Sequence, residues 1–386
     1  MRNLLITMSG GTTSVINATL AGIISSAQQS PHIDKIYAGF PGILGFLAGK
    51  VLDLTDTTAK QRDIITYSPG SASIGTTRTK IFSNDELDIL KDSFSEYGIG
   101  YFVNIGGNGT IKQTKSIAAC IKTVRVAAAP KTVDNDLGDQ EYDLMWYTPG
   151  FPSCVNYWYH KIQMLNNESC GAHSHDKILI AQAFGRETGF ITGAMRLADP
   201  ERKLPLVLLL PEDQQSPNKV LQKIENTVGL HGRALVGTSE GYHVNDYEFE
   251  RDLTGQPMYG SSKSTAAQQL VNLCMENGLQ ARSYTPTVDQ RQNFEHTLAS
   301  DIQTAYWAGK EIIDNFDNGE SHFFQGYSKS GNKIVQLDKI TDFSRSLKET
   351  WIDHGNFDVT DEYVSYLSEF TKTTPKRSLF IGGVFK

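Results

Sequence analysis

The sequence predicts an α/β fold with mainly parallel sheets, divided over two domains. Its 386 residues exceed the length at which one hydrophobic core keeps growing, so two domains are expected. Short, continuously apolar runs suited to strands buried on both faces alternate with helical patterns, and glycine turns join them. The pattern restarts near Asp176, where a second α/β unit opens.

In chain order, residues 3–8 read as a first buried strand, and Ser9-Gly10-Gly11-Thr12-Thr13-Ser14 turns it into a helix beginning at Val15. Such a turn aims backbone N–H groups and the positive end of the helix dipole beyond the strand, which suits phosphate. Alone it is equally a tight turn, and without a Gly-x-Gly-x-x-Gly pattern it is no dinucleotide fingerprint. Residues 33–39 form a second strand, residues 40–47 lead into a short helix, and residues 67–78 are a small-residue loop ending in the cation Arg78. A helix over 84–97 precedes a strand over 100–105, which runs into Gly106-Gly107-Asn108-Gly109-Thr110 before helical spacing resumes at Ile111. Two such turns at neighbouring strand ends would make one phosphate groove.

The next strand, residues 123–128, delivers the stretch that carries the most chemistry: Pro130-Lys131-Thr132-Val133-Asp134-Asn135-Asp136. Two carboxylates, a cation and a hydroxyl emerge together at a strand's carboxyl end, the edge where open α/β sheets bind ligands. An alcohol attacking phosphorus needs a carboxylate to take its proton and positive charge to offset the phosphoryl oxygens. Asp134 is the candidate base and Lys131 the candidate cation. The plain alternative is an Asp-Asn-Asp turn whose side chains bond their own backbone.

A helix follows from about residue 148, then a strand over 176–183 ending in Phe184-Gly185-Arg186-Glu187-Thr188-Gly189. A cation beside a glycine at such an edge suits an anion, although an ion pair between Arg186 and Glu187 would also explain it. Further strands are expected over 204–210 and 233–238, the latter delivering Ser239-Glu240-Gly241. Helices are expected over 264–278 and 298–316, and a hairpin over 323–336 turning at Ser330-Gly331-Asn332. The window from Gly255 through Gly260 to Lys263 is not a Walker A loop: its lysine is two residues too far on, and no strand precedes it.

Composition narrows the classes. Hydrophobic residues at 39% and charged residues at 20% describe an ordinary globular chain. A net charge of -7 argues against general nucleic-acid binding. No apolar run is long enough to span a membrane, and the apolar N-terminal stretch is too short for a signal peptide, so a cytoplasmic protein is expected. Cys120, Cys154, Cys170 and Cys274 are too widely spaced to suggest a zinc site or a disulfide framework.

Taken together, these motifs resemble the phosphofructokinase family, particularly the longer branch that contains pyrophosphate-dependent enzymes. The resemblance is carried by Gly10 to Asn17, Phe40-Pro41-Gly42-Ile43-Leu44-Gly45, Gly106 to Thr110, Pro130 to Asp136, Gly185-Arg186, Gln290-Arg291 ahead of Leu298-Ala299-Ser300, and Asp358 to Val364. It implies two Rossmann-like three-layer domains and magnesium-dependent phosphoryl transfer to the 1-hydroxyl of fructose 6-phosphate, a step of glycolysis. The implied division is 1–147 with roughly 296–340 for the phosphoryl donor, 148–295 for the sugar phosphate, and 341–386 as a C-terminal extension. By position, Asp134 is the implied base, assisted by Lys131 and Arg186. Asp136 and Asn108 stand at the magnesium positions. Gly11, Thr12, Arg78, Gly107, Asn108, Gly109 and Thr110 would face the donor. Thr132, Phe184, Gly185, Arg186 and Glu240 would line the sugar phosphate, with Arg291, His296 and Lys177 where the family places cations for the 6-phosphate. One of those cations commonly comes from a neighbouring subunit, which implies a homodimer or homotetramer.

Departures from the family pattern bear on substrate. Phe184 replaces the usual Met, Glu187 a common His, and Val288 a Tyr frequent in the pyrophosphate branch. They leave room for another ketose phosphate, and His296 in place of a permanent cation would make 6-phosphate binding pH-sensitive. For the donor, Gly109 stands where pyrophosphate enzymes tend to carry an Asp that fills the space of a nucleotide's α-phosphate. Lys131 is a pyrophosphate-branch feature that also occurs in some ATP-using relatives. Steric exclusion is the harder constraint, so ATP is the expected donor. The alternatives are pyrophosphate, a different ketose phosphate acceptor, and a non-catalytic regulatory paralogue.

Overall fold

The computed structural model describes residues 2–68, 73–79, 83–172, 174–244, 249–251, 257–259, 263–340 and 344–371. Pro69 to Ala72 of the small-residue loop, and Gly255 and Gly260 to Ser262 of the window discounted above, lie outside these. In chain order the strands are β1 (Arg2–Met8), β2 (Ile33–Gly39), β3 (Val51–Asp53), β4 (Ile99–Gly106), β5 (Arg125–Pro130), β6 (Ile178–Ala183), β7 (Leu206–Leu209), β8 (Ala234–Ser239), β9 (Ala281–Tyr284), β10 (Phe323–Ser328) and β11 (Gly331–Gln336). The chain divides into two compact units, Met1–Phe151 with Arg291–Arg345 and Pro152–Gln290 with Ser346–Lys386.

The first unit is built on a seven-stranded sheet ordered β11-β10-β5-β4-β1-β2-β3, parallel except at its two outer strands. Alternation along the strands sends Leu5, Phe102, Val126 and Ala128 to one face, against the helices Asn84–Glu96 and Asn108–Cys120. It sends Leu4, Ile6, Val103, Ile105 and Ala127 to the other, against Ile16–Ala27 and Ala299–Asp317. Three layers follow, as the sequence leads one to expect. Ser83 and Glu86 form a capping box that starts the helix at Asn84.

Several boundaries differ from the sequence reading. The helix after β4 begins at Asn108, not Ile111, so Asn108, Gly109 and Thr110 form its first turn with Gly107 as cap. β5 extends through Pro130, which pairs with Gly106, and the hairpin turns at Lys329 and Ser330. The helix Pro217–His231 and strand β9 were not foreseen. Proline at the start and a left-handed Gly232 at the end do mark the former. β9 is a polar, half-buried edge strand without an apolar run.

The second unit carries a parallel four-stranded sheet ordered β7-β8-β6-β9. One face packs Ile178, Ile180, Val207, Leu209, Ala234 and Val236 against the helices Pro217–His231 and Ala266–Glu276. The Asp358 to Val364 segment joins this unit through a buried pair, Arg196 Nε to Asp358 Oδ1 at 2.8 Å, and through Tyr363 Oη donating to Phe190 O at 2.6 Å. Among the described residues no helix is long and apolar enough to cross a membrane.

The helices Ile16–Ala27 and Ala299–Asp317 of the first unit approach each other closely at two glycines. A Cβ on Gly22 would lie 2.0 Å from Tyr306 O, and one on Gly309 would lie 2.1 Å from Thr19 O. Backbone cannot yield as a side chain does. Gly309→Ala is therefore expected to lower stability by about 1–3 kcal/mol or more, read as a lower urea midpoint at unchanged slope. An unchanged midpoint would show that the helices do not pack this closely.

Candidate active site

In the first unit, β5, β4 and β1 are consecutive and parallel, with Gly106 opposite Pro130 and Met8 opposite Ile105. Their carboxyl ends therefore sit side by side, at the spacing of roughly 4.8 Å set by strand pairing. They carry the Lys131–Asp136 loop, the Gly106-Gly107 turn and the Gly10-Gly11 turn respectively. β2 lies beyond β1 and β4 on its other side, so the chain order reverses at the β1/β4 boundary.

The three loops are tied together. Lys131 N donates to Gly106 O at 3.0 Å, and the Lys131 ammonium donates to Gly11 O. Lys131 is only 4% exposed, so this cation is committed to the glycine turn and not to solvent. The Arg291 guanidinium reaches the same turn: a Cβ on Gly11 would lie 2.7 Å from its Nη1. Gly107 has Lys131 O at its back, where a Cβ would sit 3.5 Å away. The segment holding Arg78 runs along the first turn, with Gly10 N donating to Thr77 O at 3.0 Å and Ser9 bridged to Thr77. The buried Thr12 hydroxyl has no hydrogen-bond partner among the described residues.

The acidic loop is ordered by its own polar groups. Asp134 N donates to the Thr132 hydroxyl at 3.1 Å. Asn135 is fully buried with φ +57, while Asp134 and Asp136 on either side are half-buried. Asn108 Nδ2 donates to Asp136 Oδ2 at 2.9 Å, so the amide steers that carboxylate. Thr110 is buried in the first helical turn beside Gly106, and Gly109 is half-buried in the same turn. His296 lies half-buried in the bend between Asp289–Gln292 and Ala299–Asp317, its backbone N–H donating to Asn293 Oδ1 at 3.2 Å.

In the second unit, β6 and β8 are neighbours with Ala183 opposite Ser239, so Phe184-Gly185-Arg186 and Glu240 leave the same edge together. Arg186 adopts φ +54, and a Cβ on Gly241 would lie 2.1 Å from Arg186 O, which Ser239 Oγ also reaches at 2.7 Å. Two residues that sequence reasoning did not assign to the site fix the ends of this turn. Gln290 Oε1 accepts from Phe184 N at 2.9 Å and from Trp158 Nε1 at 3.2 Å. Glu212 Oε1, after β7, accepts from Gly189 N at 3.0 Å and Leu347 N at 3.1 Å. Burial raises the Glu212 carboxyl above its ordinary value. The signal for Gln290 was its place in the Gln-Arg pair; Glu212 had none. Glu187 accepts from Tyr259 Oη at 3.0 Å.

Lys177 is the residue the structure does not bring in. It is exposed and precedes β6, at the opposite end of that strand from Phe184 and Arg186. A six-residue strand spans about 20 Å. Within one chain it cannot share a ligand with Arg186. Among the described residues no group of three or more His, Cys, Asp or Glu could hold a metal ion by itself.

The family model described as Phosphofructokinase matches residues 3–306. The pyrophosphate–fructose 6-phosphate 1-phosphotransferase of Methylococcus capsulatus is 25% identical over 386 residues, covering 95% of this chain and 90% of that protein. The solved pyrophosphate-dependent phosphofructokinase of Nitrosospira multiformis superposes with a TM-score of 0.85 at 26% identity, covering 96% and 92% of the two chains. The ATP-dependent 6-phosphofructokinase 3 of Bacteroides thetaiotaomicron is 29% identical over 192 residues, which is 47% of this chain and 52% of that one. These matches overturn the expectation that ATP is the donor and that the protein is an ATP-dependent kinase. The Methylococcus and Nitrosospira proteins, similar along nearly the whole of both chains, are named for pyrophosphate, so Gly109 does not carry the weight that steric reasoning gave it. On the span of the family match and the shared architecture, the chain belongs to the phosphofructokinase family.

Proposed function

We propose that this protein transfers a phosphoryl group from pyrophosphate to the 1-hydroxyl of fructose 6-phosphate. The observation that carries the reading is Lys131, a buried cation bonded to the Gly10-Gly11 turn three residues before Asp134. Pyrophosphate brings no nucleotide to bind, so its recognition falls on fixed charge and backbone N–H groups, and these are what the β1/β4 edge offers. The names of the Methylococcus and Nitrosospira relatives point the same way.

In this reading the first unit holds the donor and the second the sugar phosphate. Lys131 and Arg291, both against Gly11, offset the charge of the transferring and leaving phosphates. Asp134 takes the proton of the attacking hydroxyl. Magnesium would be held by Asp136, with Asp134 beside it, because this ion needs only one or two carboxylates and completes its shell with phosphate oxygens and water. When bound, it supplies further neutralisation of the phosphoryl oxygens. Asn108 orients Asp136 through its amide N–H. Arg186, Glu240 and the Phe184-Gly185 backbone take the sugar phosphate, held in place by Gln290 and Glu212. A homo-oligomer in which Lys177 serves a second copy is the arrangement in which that residue could act.

Three outcomes are expected. With magnesium and fructose 6-phosphate, purified protein should turn over pyrophosphate and not ATP, and turnover with ATP alone would refute the donor assignment. Asp134→Asn and Lys131→Met should each cut kcat by about 100-fold or more with an unchanged far-ultraviolet spectrum. Wild-type rates in Asp134→Asn would end the assignment of the base. Glu212→Gln tests the burial of that carboxyl. Because folding raises its pKa, the folded state holds the proton more tightly, and wild-type stability falls as pH rises from the unfolded value near about 4.3 through the folded one. The substitution should remove that slope in a urea-midpoint series across mildly acidic pH; parallel curves would show that Glu212 is solvated.

A further inference from the structure

Arg345, the last residue of the first unit, is 2% exposed, and its guanidinium is spent largely on one residue 210 positions away. Nε donates to Asn135 O at 2.9 Å and Nη2 to Asn135 Oδ1 at 2.8 Å, while Nη1 donates to Met145 O. Its backbone N–H donates to Asp136 O at 2.8 Å, and Ser344 is bridged to Leu137. The Tyr142 ring covers the guanidinium at 4.1 Å.

The residue so gripped is the one that sets the geometry of the acidic loop. Asn135 has φ +57, a region that residues other than glycine occupy at a cost, and such a conformation persists only where surrounding contacts over-determine it. Its Oδ1 also accepts from Thr148 N at 3.0 Å, so the side chain is locked inward while its neighbours Asp134 and Asp136 stay half-buried. A planar fork of donors matches one residue's carbonyl and amide oxygens as a lysine's point charge could not.

We propose that Arg345 is the positioning residue of the phosphotransfer loop: by fixing Asn135 in its left-handed conformation, it sets the direction in which Asp134 and Asp136 project. This rests on the reading of Asp134 as the base. A residue that only staples the C-terminal segment to the unit would affect stability. A positioning residue also affects the chemical step, because misplacing a reacting group by about 1 Å can cost about 100-fold.

The test compares wild type with Arg345→Lys, which keeps the charge and loses the fork. The expected result is a fall in kcat of about 100-fold with a KM for fructose 6-phosphate within about three-fold of wild type. Should Arg345→Lys fold poorly, Asn135→Gly keeps the left-handed backbone at no steric cost and removes the side-chain acceptor Oδ1, leaving the backbone carbonyl. Its kcat should fall too, and combining the two substitutions should add little to either. Independent effects that multiply, or a kcat change no larger than the loss of folded protein, would overturn the proposal. Amide hydrogen exchange supplies a readout independent of turnover. Residues 133–137 should exchange faster in Arg345→Lys while residues 106–110 do not change. Unchanged exchange at 133–137 overturns the clamp. A wild-type protein inactive with pyrophosphate would instead overturn the phosphotransfer reading and leave exchange to judge the clamp.

Discussion

The parallel pairing of β5, β4 and β1 is the constraint on which the first unit depends. Its register sets three strand ends level, so that a lysine loop and two glycine turns, separated in sequence by many residues, share one edge. Lys131 turns that adjacency into a charged surface. Its ammonium is bonded to the carbonyl of Gly11 and its backbone to Gly106, so one residue ties the three loops together. A buried ammonium is costly unless its donors are occupied. Here the Gly11 carbonyl takes one of them.

The second unit solves a similar problem with neutral and acidic anchors. Arg186 sits in a left-handed turn that leaves its carbonyl between Ser239 and Gly241, where a side chain at 241 would not fit. Gln290 fixes the turn at Phe184 and Glu212 fixes it at Gly189. The cation is thereby placed by backbone geometry. Preorganisation of this kind lowers the ordering cost of binding a small polar ligand.

What was legible in the sequence follows from range. β1, β4 and β6 were readable because strands buried on both faces are continuous apolar runs, and the glycine turns and the Asp134 loop were readable because their chemistry is local. The edge strand β9, polar and half-buried, offered no such run. The anchors were largely illegible for the same reason. Glu212, Gln290 and Arg345 each act on a loop far away in sequence, and only Gln290, through its Gln-Arg pair, carried a local mark. Lys177 shows what a motif leaves out: the resemblance places it among the sugar-phosphate cations, and within one chain the length of β6 separates it from Arg186. The donor reading failed through a single glycine. An open position permits a nucleotide but does not recruit one, whereas a buried lysine is a commitment.

The most direct test of the account is the reverse reaction, followed by phosphorus magnetic resonance. Fructose 1,6-bisphosphate, inorganic phosphate and magnesium are supplied without any nucleotide. If phosphate and pyrophosphate are the natural acceptor and donor at the Lys131 edge, wild type should produce pyrophosphate and fructose 6-phosphate together, and Asp134→Asn should produce neither. No pyrophosphate from phosphate, with ATP formed instead when ADP replaces phosphate, would contradict the account.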